Sequence, residues 1–133
     1  MNDIDLTPIA AEIEENPAAA REEIILGIIK RERGYSDKAY DMGGPTKYGI
    51  TIKTLKAFLL VGGPPDAKYG EWPQEAWKKA VENLTTEEAT VIYRWLWRES
   101  KADLFVAKDF KNLYFDSYIH HGPRVIKWLQ LIA

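Results

Sequence analysis

The chain has no cysteine, and only two histidines and two methionines. Without cysteine there is no disulfide framework and no thiolate chemistry, although the compartment stays open. An excess of one charge is missing too. Eighteen basic against twenty acidic side chains leave a formal net charge of −2, with no overall pull towards nucleic acid or an anionic membrane. Long hydrophobic runs are also lacking: Ile24 to Ile29 is the longest, is broken by Gly27, and falls far short of the roughly 20 residues of a membrane helix. The first twenty residues carry Asp3, Asp5, Glu12, Glu14 and Glu15, and no basic start followed by an apolar stretch, so no secretory signal is visible. Internal repeats and low-complexity segments are absent as well.

What is present is a globular composition, 46% hydrophobic with five tryptophans, in 133 residues, enough for one core and too few for two. Residues 1–20 are expected to form an acidic extension containing at most a short amphipathic helix through Leu6, Ile9 and Ile13, with Pro8 and Pro17 as breakers. Residues 21–133 are expected to form the folded domain. Its predicted helices run over about Ala19 to Arg33, from an N-cap at Thr51 to about Leu60, from Pro73 at a first helical position to near Asn83, from a Thr85/Glu88 capping box to about Lys101, and from about Lys108 to His121. Leu113, Ser117 and His120 share one side of the last of these. Gly122-Pro123 then starts a final helix with Val125, Ile126 and Leu129 on its apolar face. The class is mainly α with at most a small β-hairpin around residues 40 to 50, and Thr46 and Tyr48 lie in the connection between two helices.

The stretch from Glu32 to Thr51, ERGYSDKAYDMGGPTKYGIT, concentrates the chemistry. Ile25, Ile28 and Ile29 follow the i, i+3, i+4 spacing of a buried helix face, and Glu32 takes the next place on that stripe. Gly34 is expected to end the helix, leaving the carboxylate beside the partly negative helix terminus. Burial and that dipole both disfavour the ionised form, which predicts a raised pKa and suits a general acid. Asp41, in a polar loop, is expected to stay ionised, and two carboxyls in contrasting surroundings divide acid and base work. With the Thr46 hydroxyl to hold water, Glu32, Asp41 and Thr46 supply the group types that glycosidic hydrolysis needs. Asp37 either orders the loop or is itself the second carboxylate, and Asp41 before Met-Gly-Gly is also a plain turn former. Trp95 and Trp97 read as core. Adjacent His120 and His121 point in different directions on a helix with no third ligand in step, so no metal and no cofactor are expected.

With Glu32, Gly34, Tyr35, Asp37, Asp41, Gly43, Gly44, Thr46, Tyr48, Gly49, Ile50 and Thr51 in place, the segment resembles the signature of the glycoside hydrolase family 108 muramidases, single-domain lysozymes of phages and bacteria. LTTEEATVIYRWLW and FDSYIHHGPRVIKWLQ resemble the family's later landmarks, so the similarity spans about Ile24 to Gln130. The resemblance implies a lysozyme-like fold and N-acetylmuramidase activity on the β-1,4 bond between N-acetylmuramic acid and N-acetylglucosamine. It implies Glu32 as the acid, Asp41 and Thr46 as the groups placing water, and Tyr35, Asp37, Tyr48, Tyr118 and His120 as substrate-binding residues. It further implies a monomeric phage endolysin whose partner is the peptidoglycan glycan strand, made in the cytoplasm, acting on the wall in the host periplasm, and inverting in outcome. Three positions depart from the pattern: Arg33 replaces a glycine and offers Glu32 a cation, His120 stands where an asparagine is usual, and the chain ends at Ala133 where a peptidoglycan-binding segment is expected to begin. These departures motivate the alternative of a non-catalytic glycan-binding or virion-structural module, and chitin is an alternative substrate.

Overall fold

A computed structural model describes residues 7–37, 44–63 and 68–127, and of residues 7–17 the backbone alone. The chain is mainly α-helical with a small three-stranded antiparallel sheet. In order come α1 (Thr7–Arg31), β1 (Tyr35–Ser36), β2 (Thr46–Lys47), β3 (Ile50–Thr51), α2 (Ile52–Gly62), a 3₁₀ turn (Tyr69–Glu71), α3 (Gln74–Glu82), α4 (Thr86–Ser100), a second 3₁₀ turn (Ala102–Leu104) and α5 (Lys108–His121). Residues 124–127 form a further helical turn. Two compact units result: Ile25–Trp95, and the described residues of Met1–Ile24 with Leu96–Ala133.

In the first unit, the core gathers Ile25, Ile28 and Ile29 of α1, Ile50, Ile52 and Leu55 at the β3–α2 junction, Trp77 and Val81 of α3, and Ala89, Ile92 and Tyr93 of α4. The three α1 isoleucines are those of the expected stripe, at the spacing of one helix face. α3 packs against both α2 and β2. Strands of two residues are too short to stand alone, so these helices are what the sheet depends on. The second unit buries Trp97, Tyr114 and Phe115, with the Trp97 and Phe115 rings edge to face at 4.8 Å. Ser100, also buried, is satisfied locally: its hydroxyl donates to the Trp97 carbonyl at 2.7 Å, and Tyr114 donates to its carbonyl at 2.5 Å. The face of α5 turned inward carries Lys111, Tyr114 and Phe115, whereas Leu113 is 65% exposed.

The capping signals are realised. Thr51 accepts from the Thr54 N–H at 3.1 Å, and Thr85 and Glu88 exchange reciprocal side-chain-to-backbone bonds at 3.1 and 3.0 Å. Two boundaries differ from expectation. Pro73 is the N-cap rather than the first residue of α3. α1 begins at Thr7 and runs through Pro17, because one proline removes a single helical donor while the surrounding Ala and Glu residues favour the helix. No described helix is long and apolar enough to cross a membrane.

Thr85→Ala removes one half of the reciprocal cap. It should cost about 1 kcal/mol, lowering the melting temperature by roughly 3 to 6 °C in a calorimetric scan.

Candidate active site

The site is built where α1 hands over to the sheet. The Glu32 N–H still donates to the Ile28 carbonyl at 2.8 Å, but α1 ends at Arg31 and Gly34, at φ +99°, turns the chain into β1. A left-handed φ is where glycine carries no Cβ penalty, which is why this position reads as a helix stop. Since the chain leaves helical geometry before Glu32, the stripe no longer points it inward. The expected burial of Glu32 is therefore corrected: its side chain is 42% exposed and lies 3.5 Å from the Arg31 guanidinium. An exposed pair of this kind contributes about 0 to 1 kcal/mol. Of the two flanking arginines that could pair with the carboxylate, Arg31 is the one beside it.

The base of Glu32 is nevertheless fixed. β1 pairs with β2 (Tyr35 with Lys47, Ser36 with Thr46), and β2 with β3 (Thr46 with Thr51, Lys47 with Ile50), which leaves Tyr48 and Gly49 as a two-residue hairpin turn. Both have positive φ, 53° and 80°, as a turn matching the strand twist requires. Gly49 is there because nothing larger fits: an added Cβ would lie 2.8 Å from the Tyr93 hydroxyl and 3.3 Å from both Cβ and Cγ of Glu32. The stem of Glu32 thus rests on the turn. Tyr48 is the unusual member, a bulky residue in left-handed backbone at a cost of roughly 1 to 2 kcal/mol. Its carbonyl accepts a 2.6 Å hydrogen bond from the buried Tyr93 hydroxyl of α4, a contact worth about 1 kcal/mol net and more if its partner were left unsatisfied. The bond and the strain are of similar size, so the turn is held rather than merely tolerated.

Thr46 occupies the central strand of the sheet, three residues before Gly49, and Tyr48 lies in the turn itself, with the Lys47 ammonium 5.6 Å from its ring centre. Tyr35 and Asp37 stand at β1 and just beyond it. Asp37 pairs with Lys78 of α3 at 2.9 Å, and that carboxylate holds the Lys78 ammonium above its ordinary pKa through a hydrogen bond and its charge. Partial desolvation, then the Asp37 charge, raises the Tyr35 phenol. Lys47 donates to the Glu82 carbonyl at 2.7 Å, a cation at the negative end of α3. Asp41 lies outside the described residues. Tyr118 and His120 belong to α5 in the other unit, where burial and then the Glu99 charge raise the Tyr118 phenol, and His120 Nδ1 lies 2.7 Å from its own helix's Asp116 carbonyl. Trp97 is buried as expected, its indole donating to Asp103 at 2.9 Å.

Sequence reasoning missed Tyr93 and Lys78 as supports. Tyr93 lies on the buried face of α4, and a place on a helix face says nothing about where a hydroxyl ends. Lys78 follows the core residue Trp77, and no local pattern links it to Asp37.

The model of the family Glycosyl hydrolase 108 matches residues 25–122. This chain belongs to that family. Membership makes glycoside hydrolysis the class of chemistry and suggests a lysozyme-like peptidoglycan hydrolase, and the matched span takes in Glu32, the three strands and α2 to α5. No curated protein and no solved structure matches the chain significantly.

Gly49→Ala meets both the backbone penalty and the contact with the Tyr93 oxygen. It should lower stability by about 2 kcal/mol or more, read as a shifted denaturant midpoint at unchanged m-value. An alkaline effect follows from Asp37 and Lys78. A cation whose pKa is raised by folding stabilises fully below its unfolded pKa, near 10.4, and that contribution disappears as pH rises through the higher folded value. Lys78→Met should therefore show a flatter fall in melting temperature than the wild type above about pH 10.

Proposed function

We propose that this glycosyl hydrolase 108 protein is an N-acetylmuramidase that cuts the β-1,4 bond between N-acetylmuramic acid and N-acetylglucosamine in peptidoglycan. The observation that carries the reading is the seat of Glu32, whose stem is fixed on Gly49 while its carboxylate stays open. General acid catalysis asks for a carboxyl that solvent-borne substrate can reach but that does not wander. Glu32 then protonates the leaving oxygen as the anomeric bond breaks, and Asp41 and Thr46 place and activate the water that takes the sugar cation. Asp37 is engaged with Lys78, which supports the loop-ordering role over that of second carboxylate. Tyr35 and Tyr48 are assigned to glycan contact in this unit, and the substrate-binding role of Tyr118 and His120 rests on the family resemblance alone. The protein acts as a monomeric phage endolysin, made in the cytoplasm and acting on the wall in the host periplasm.

Purified cell walls test the reading directly. The protein should clear their turbidity and release new reducing ends, and borohydride reduction should place those ends on muramic acid. Reducing ends on glucosamine would assign a different bond, and binding without clearing would leave a glycan-binding module. Asp41→Asn and Thr46→Ala should each lower turnover about a hundredfold or more, with little change in melting temperature. Asp37→Asn should keep most activity, and the opposite pattern would transfer the water-activating role to Asp37.

A further inference from the structure

Tyr93 is buried, 1% exposed, on the inward face of α4. Its hydroxyl reaches 45 residues back to the Tyr48 carbonyl at 2.6 Å. The same oxygen and the Cβ and Cγ of Glu32 all lie within 3.3 Å of one point, the place a Gly49 side chain would take. Turn, tyrosine hydroxyl and glutamate stem therefore meet over a single backbone atom. We infer that Tyr93 is a positioning residue for Glu32: its hydroxyl holds the left-handed Tyr48–Gly49 turn in place, and the turn is the floor that sets where the Glu32 carboxylate stands. This rests on Glu32 being the general acid.

The physical step is short. Tyr48 is a residue that left-handed backbone disfavours, so without the hydrogen bond its part-buried carbonyl loses this partner and the turn gains a reason to relax. A relaxed turn moves Gly49, and the stem packed on Gly49 moves with it. A displacement of about 1 Å at a reacting group costs on the order of a hundredfold in rate. Tyr48 is one of several glycan contacts, so substrate affinity changes far less than the rate. The effect should consequently appear mainly in kcat, with KM little changed.

Tyr93→Phe is the test, because it keeps the ring that fills the core and removes the oxygen alone. It is assayed on soluble glycan-strand fragments, well below its melting temperature, in the wild-type background and in Glu32→Gln, with circular dichroism and fragment binding confirming that each variant is folded. The expected result is a loss of roughly ten- to a hundredfold in kcat, with KM within about twofold, and no further loss when Tyr93→Phe is added to Glu32→Gln. A Tyr93→Phe protein that melts earlier but turns over at the wild-type rate would overturn the inference while leaving Glu32 as the acid. An equal loss in both backgrounds would also overturn it, since Tyr93 would then act independently of Glu32. Full activity in Glu32→Gln alone would instead remove the proposed function, and this inference with it.

Discussion

A turn of two residues, both in left-handed backbone, is the constraint around which this site is arranged. Tyr48 and Gly49 reverse the chain between strands of two residues each, too short to supply much ladder bonding of their own. The turn persists because elements distant in sequence close on it. Tyr93 of α4 donates to the Tyr48 carbonyl, and the side chain of Glu32, from the end of α1, packs on Gly49 where no Cβ intervenes. A catalytic-class carboxylate on flexible chain just beyond a helix would lose its geometry to side-chain entropy. Here the backbone of another element takes up that freedom.

The sheet is secured as well by α3, which packs on β2. Lys47 of β2 caps the carbonyl end of that helix, and Asp37, one residue past β1, pairs with Lys78 on it. Both are charge-assisted contacts at partly exposed positions, each modest alone. Their value is geometric: together they fix two strands that hydrogen bonding within the sheet would hold only weakly. The burial of Trp77 and Val81 on the same helix supplies the hydrophobic stabilisation, at about 25 cal/mol per Å² of apolar surface.

Much of this was legible in the chain. The Ile25, Ile28, Ile29 stripe, the Thr51 N-cap, the Thr85/Glu88 box and the helix from Lys108 to His121 are local patterns with one physical solution each, and the structure contains them. Glu32 shows the limit of such reading. The i+7 rule holds while the helix lasts, and α1 ends one residue earlier, so the same glutamate that the period buries is 42% exposed. β1 was not anticipated, because two residues leave no alternation to detect. Pro17 was taken as a breaker, yet α1 runs through it. Contacts such as Tyr93 with Tyr48 span 45 residues and carry no local signature. Asp41 lies outside the described residues.

The central claim is that Glu32 gives a proton to the glycosidic oxygen, and one substitution addresses it. Glu32→Gln keeps the stem that rests on Gly49 and exchanges the transferable proton for an amide. The rate of wall clearing and the melting temperature are to be measured for both proteins at one pH. The account predicts loss of nearly all clearing, with a melting temperature within about 2 °C of the wild type, since the exposed pair with Arg31 contributes little. A Glu32→Gln protein that clears walls at the wild-type rate, or one that fails only because it unfolds, would contradict it.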